Sequence, residues 1–217
     1  MANTQEALDK ILNTPVDLRD DQWQADFFET FKQSKIKISN PTPQVGYDSW
    51  PYLHVENHED STEPVAQVVE WLSKRGIGML LNPHKAEPDY VFSYGMLWSF
   101  QEKGVFLEPT IKLDLPSQFE LQQGTKILSG PPHDSFLPPY VRQILKQFFV
   151  EQGILVPRIL VMSTDKAHFD LCFSLDSLGL PPAKEHAGIA EAIQWFLPPH
   201  YSLVLTRETG LKGFVSL

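Results

Sequence analysis

A chain of 217 residues that is 42% hydrophobic and 12% aromatic is long enough for one large core or two smaller ones, and its composition excludes general disorder. The only cysteine, Cys172, excludes an internal disulfide and a thiolate metal cluster. No apolar run approaches the roughly 20 residues that a membrane-spanning helix needs, and the polar start MANTQEALDK lacks the apolar stretch of a signal peptide.

The charge is unevenly spread. Residues 1–125 hold nineteen Asp+Glu against ten Lys+Arg, which accounts for the whole net charge of −9, whereas residues 126–217 hold eight of each. This predicts two units with different surfaces, 1–125 and 126–217. It disfavours nucleic acid, because phosphate binding needs a positive footprint. An acidic surface suits a basic protein partner, or solubility alone.

In chain order, residues 4–12 (TQEALDKIL) place Ala7, Ile11 and Leu12 on one face behind a Thr4 cap, and Pro15 stops that helix. A second helix is expected from about Asp20, with Trp23, Phe27, Phe28 and Phe31 inward and acidic residues in its first turn. KIKI reads as a short strand, and NPTPQVGYDS as loop because of its prolines and glycine. WPYLHVEN reads as a strand starting at Pro51. STEPVAQVVEWLSKRG is a helix with Ser61 or Thr62 as cap and Gly76 at its end. IGMLLNP follows as a buried strand that ends at Asn82-Pro83. PDYVFSYGMLWSF reads as a short helix or irregular turn. GVFLEP, TIKLDLP and QFELQQGTKILSG read as strand material.

From Pro138 the pattern is clearer. PPYVRQILKQFFVEQG is a helix with Val141, Ile144, Leu145, Phe148 and Phe149 inward, started by proline and stopped by Gly153. VPRILVMS and HFDLCFSLD are strands joined at TDKA, HAGIAEAIQWFLPP is a helix, and YSLVLTRE is a strand. The fold class is therefore α/β (α+β), two small mixed-sheet domains, the second an αββαβ unit. No internal repeat is legible.

Three constellations could carry chemistry. In HVENHED, His54 and His58 are four apart with Glu56, Glu59 and Asp60 beside them. That spacing suits zinc on a helix, but on a strand it separates the imidazoles by about 13 Å. Cys172 has His168 four residues earlier, the same geometric problem, and reads as a packed, inert thiol. Ser129, His133, Asp134 and Ser135 crowd into SGPPHDSFLPP, where turn and helix-start chemistry explains the serines and the aspartate but leaves His133 without a role. There is no GxSxG, GxGxxG or P-loop, and no cofactor is implied.

The stretch FELQQGTKILSGPPHDSFLPPYVRQILKQFFVEQGILVPRILVM, together with the start ALDKIL…WQADFFETFKQS and the MLLNP strand, resembles the SseB family, named for enhanced serine sensitivity. The resemblance covers most of the chain as an order of elements. The segment HKAEPDYVFSYGMLWSFQEKG departs from it by being more aromatic. The resemblance implies a cytoplasmic bacterial protein with N-terminal and C-terminal SseB-like domains, a regulatory role and no transferable catalytic set. The leading expectation is a non-catalytic interaction protein, with His133, Asp134, Phe136, Asn82 and His84 on a ligand or partner surface. A small-molecule sensor with a pocket between the halves is the alternative, and a hydrolase or metalloenzyme built on His54, His58 or His133 is the third.

Overall fold

The computed structural model describes residues 4–108 and 127–217. Six α-helices and two mixed sheets make up these residues, so the architecture is α/β. The chain divides into two compact units, Met1–Leu107 and Glu108–Leu217. The boundary expected at 125/126, the TIKLDLP strand and all of QFELQQGTK lie outside the described residues.

In the first unit, α1 (Thr4–Leu12) buries Leu8 and Leu12, while Ala7 and Ile11 are only half-buried. The α2 helix (Asp21–Phe31) is capped by Asp20, whose carboxylate accepts the Trp23 N–H at 2.8 Å. Its aromatic stripe stacks in series, Trp23 on Phe27 at 5.2 Å and Phe27 on Phe31 at 5.3 Å. This stripe closes a core with Ile36, Leu53, Val55, Val69, Leu72 and Met79.

The hairpin β1 (Lys35–Val45) and β2 (Pro51–Glu56) is antiparallel. The expected loop over NPTPQ is instead the second half of β1. The strand tolerates Pro41 and Pro43 because β3 (Glu63–Pro64) covers its outer edge only at Lys35 and Ile36, and because register shifts interrupt the ladder on the β2 side. Missing N–H groups cost little at such an edge. Next, α3 (Val65–Ser73) follows Pro64 directly, so neither Ser61 nor Thr62 caps it. The Ser61 hydroxyl instead accepts the His58 N–H at 3.1 Å. After the left-handed turn at Gly76, β4 (Gly78–Leu81) runs parallel to β2. The ambiguous PDYVFSYGMLWSF resolves into β5 (Tyr90–Phe92), antiparallel to β4, and α4 (Tyr94–Lys103), which Ser93 caps. The sheet order is β3-β1-β2-β4-β5.

The second unit opens with β6 (Leu128–Gly130) and α5 (Pro139–Glu151), which buries Val141, Leu145 and Phe149. The hairpin β7 (Arg158–Ser163) and β8 (Asp170–Ser174) is antiparallel; α6 (His186–Gln194) then leads to β9 (Ser202–Thr206), parallel to β8. β10 (Val215–Ser216) and β6 pair with opposite ends of β7. The expected αββαβ unit is thus present with a strand added before and after it.

The two units follow one plan. In each, a helix precedes an antiparallel hairpin, and a second helix carries the chain to a strand parallel to the hairpin's second member. These are α2-β1-β2-α3-β4 and α5-β7-β8-α6-β9. The repeat is one of topology.

Candidate functional site

In open α/β sheets, ligands gather beyond the carboxyl ends of parallel strands. In the first unit those ends carry Glu56, Asn57 and Asn82. Asn82, expected on a surface, is buried (4% exposed) in a left-handed conformation with φ 53°. Its carbonyl oxygen accepts the Asn57 N–H at 2.9 Å, and its amide donates to Asp89 at 2.7 Å. Asp89 also takes Lys85 Nζ at 2.5 Å and Arg19 Nη2 at 3.1 Å. Burial by itself raises the Asp89 pKa, but hydrogen bonds from Asn82, Lys85 and Arg19, with the Lys85 charge, together hold it below the ordinary value. Arg19 further donates to the carbonyls of Thr14, Leu12 and Asp89 and lies 4.6 Å from the Trp23 ring centroid. The group locks the β4–β5 connection to the leading helices. Its amide and charges are committed to one another.

His84 is exposed and sits 3.7 Å from Glu56. His54 lies within β2, paired with Asn40 and Leu80, while His58 lies beyond the strand and accepts the Asp60 N–H at 3.1 Å. Among the described residues, no three His, Cys, Asp or Glu side chains are grouped so as to hold a metal.

In the second unit, the loop before α5 is held from the helix. Arg142 donates to the Leu137 carbonyl at 2.9 Å and the Pro132 carbonyl at 2.8 Å, and it pairs with Asp134 at 2.9 Å. His133 acquires its role here, with Nδ1 accepting the Ser135 N–H at 3.2 Å while its carbonyl takes the N–H groups of Phe136 and Leu137. The imidazole acts as a turn former. Phe136 stacks on Tyr201 at 4.7 Å, and the Tyr201 hydroxyl donates to the Phe136 carbonyl at 2.5 Å. Ser129 donates to the Lys212 carbonyl at 2.9 Å, away from this turn. Tyr201 carries no local signal in the sequence, since it acts on a carbonyl sixty-five positions away, and Arg142 reaches back five to ten residues to acceptors that depend on the turn's geometry.

Cys172 is fully buried beside Leu160, Met162 and Phe214. Burial, with the nearby Asp170 charge, pushes its thiol up to about 12, so thiolate chemistry is closed to it. His168 instead pairs with Asp165 at 2.5 Å in the β7–β8 turn.

The carboxyl ends of β8 and β9 are open by contrast. A groove of about 550 Å³ is lined by Val156, Arg158, Asp176, Ser177, Glu208 and Thr209. Glu208 pairs with Arg158, accepts the Ser174 hydroxyl at 2.6 Å, and donates its N–H to Asp176 at 2.8 Å. Arg158 also donates to the Phe214 carbonyl at 3.0 Å. Sequence reading missed this group because its members come from three separated segments.

Comparisons with protein-family models, curated proteins and solved structures find nothing that matches this chain. Among the described residues, no helix is long and apolar enough to cross a membrane.

Proposed function

We propose that the chain is a non-catalytic regulatory or protein-interaction protein of the SseB type, acting in the cytoplasm. The observation that supports this reading best is the pair Leu155 and Val156, exposed by 69% and 59% beside the groove of the second unit. Isolated exposed apolar residues are ordinary, but adjacent ones bordering a concave surface are what a partner covers. The acidic first half adds a long-range attraction for a basic partner surface.

Crosslinking of the tagged, full-length chain in the cells that make it tests the reading. A specific partner should be recovered and should reform a complex from purified components in analytical ultracentrifugation. Retention should weaken as salt rises from about 50 mM to 1 M, where screening shortens to about 3 Å. Retention unchanged across that range removes the acidic surface from the reading. Recovery no better than with tag alone removes the reading itself.

A further inference from the structure

β4 and β9 hold the same place in the two units, each returning parallel to the second strand of its hairpin. In the first unit the outer edge of β4 is covered by β5, antiparallel through Met79–Phe92, Leu80–Val91 and Leu81–Tyr90. In the second unit β9 pairs only with β8 among the described residues. One fold position therefore takes an antiparallel strand in the first unit and presents an open edge in the second.

The groups at that edge follow from the register. The Leu175 N–H donates to the Thr206 carbonyl at 2.8 Å, so Thr206 directs its backbone groups at β8, and the two-residue period of a strand does the same for Ser202 and Val204. Leu203 and Leu205 direct theirs outward. Their side chains share a face with Leu171 and Phe173, their partners on β8, where Phe173 packs on Phe149 of α5 at 5.7 Å. Leu171 and Phe173 are fully buried, but Leu203 and Leu205 are only half-buried.

Proteins ordinarily blunt a free sheet edge with charge, proline or shortness. Beyond Ile36, β1 carries Lys37, Pro41 and Pro43, and β3, β5, β6 and β10 have three residues or fewer. β9 runs for five residues, Ser-Leu-Val-Leu-Thr, with no charge and no proline. Its sequence is also self-complementary. Antiparallel pairing about Val204 sets Leu203 against Leu205 and Ser202 against Thr206 of a second copy, apolar on apolar and hydroxyl on hydroxyl. The outward groups of Leu203 and Leu205 then form the doubly hydrogen-bonded pairs of an antiparallel ladder. Arg207, exposed just past the strand, lies about 20 Å from its own copy in this register, so like charges do not meet.

We propose that β9 pairs with β9 of a second copy of this chain, antiparallel about Val204, to make one continuous sheet across a two-fold dimer. This goes beyond the interaction reading and does not depend on it. Each copy contributes one five-residue strand, so the contact belongs with the smaller interfaces and should exchange with monomer at micromolar concentration.

Sedimentation velocity and pairwise cysteine crosslinking of the full-length chain test the pairing. Weight-average mass should double between about 1 μM and 100 μM. Cys172 is fully buried, which leaves an introduced cysteine as the reacting thiol. Ser202 and Thr206 face each other across the two-fold as a close, non-hydrogen-bonded pair, within the Cα separation that a disulfide spans. A mixture of Ser202→Cys and Thr206→Cys chains should form a disulfide dimer about tenfold faster than either variant alone, in which like positions lie about 14 Å apart. Both changes replace polar side chains at the edge, and amide exchange at Leu203 and Leu205 of the unaltered chain should slow as concentration rises. Three results each overturn the proposal: a mass that stays monomeric to about 100 μM, crosslinking no faster in the mixture than in either variant alone, or slow exchange at Leu203 and Leu205 in the monomer. A partner captured by a chain that does not self-associate overturns the pairing while sparing the interaction reading.

Discussion

Replacing Asp89 with alanine should destabilise the first unit by about 3 kcal/mol, the low end of what breaking a buried charge pair costs. The carboxylate is 5% exposed and receives Arg19, Lys85 and Asn82. Removing it has unequal consequences for the three donors. Lys85, 41% exposed, turns to solvent at little cost. Arg19 keeps three carbonyl acceptors. The Asn82 amide, however, is left buried without its acceptor, a loss of about 1–3 kcal/mol by itself. Urea unfolding of the whole chain, followed by hydrogen exchange at the amides of β2 and β4, reads the cost in the correct unit. Because Asn82 and Asp89 share one bond, Asn82→Ala combined with Asp89→Ala should cost less than the sum of the single changes, by about 1–2 kcal/mol. Additive costs, or an Asp89→Ala penalty below about 1 kcal/mol, would refute the account of a buried lock. The pH dependence has a definite sign. A carboxyl whose folded pKa is depressed contributes stability above its unfolded pKa of about 3.9 and loses it as pH falls through the folded value. The lock should therefore weaken only below about pH 4, and Asp89→Ala should flatten the acid limb of the unfolding curve.

Other outcomes follow from single contacts. Gly78→Ala places a Cβ 2.6 Å from the Tyr52 ring and 2.8 Å from the Phe92 carbonyl oxygen, and should cost about 1–3 kcal/mol by overpacking, measured by thermal unfolding. Cys172 should not react with a disulfide reagent at pH 8 in the native chain and should react fully in denaturant, consistent with a thiol pushed up to about 12. Asp165 should stay ionised well below the ordinary carboxylate range in an NMR titration, because His168 and the N–H groups of Ala167 and His168 bond to it; His168→Ala should move its midpoint upward. Arg142→Ala should loosen the 131–137 loop, seen as faster amide exchange at Phe136 and Leu137.

The helices were legible in the sequence wherever a local signal marked an end. Asp20 before an aromatic stripe, Gly76 and Gly153 after apolar stripes, and a proline pair before α5 each act within a few residues of the element they bound. Reading failed where tertiary context reversed a local rule. Pro41 and Pro43 look like loop until the strand proves to have a largely uncovered edge, and Ser61 looks like a cap until Pro64 takes that position. Leu8 was missed and Ala7 favoured because a one-residue rotation of a short helix leaves the period unchanged. Sites were less legible than elements. His133 could be noticed but not explained, since its role depends on a turn geometry that spacing does not fix. Arg19 and Asp89 meet across seventy positions, and Arg158 and Glu208 across fifty, so no motif window contains either pair.

The shared plan of the two units sharpens where function should be sought. Each places an acidic residue against an arginine near the carboxyl ends of its parallel pair, Asp89 with Arg19 in one and Glu208 with Arg158 in the other. In the first unit both side chains are nearly buried, at 5% and 12% exposure, and the surrounding amide and carbonyls complete the set. In the second, Glu208 and Arg158 remain 25% and 40% exposed in a groove that they line with Val156, Asp176, Ser177 and Thr209. If stability alone governed these positions, burial would serve both units equally, because an exposed ion pair contributes only about 0–1 kcal/mol. Under the interaction reading proposed above, an exposed pair that adds little to folding is where contact with a partner would disturb the fold least. On the same topology, one end is closed by its own ion pair and the other leaves its ion pair exposed.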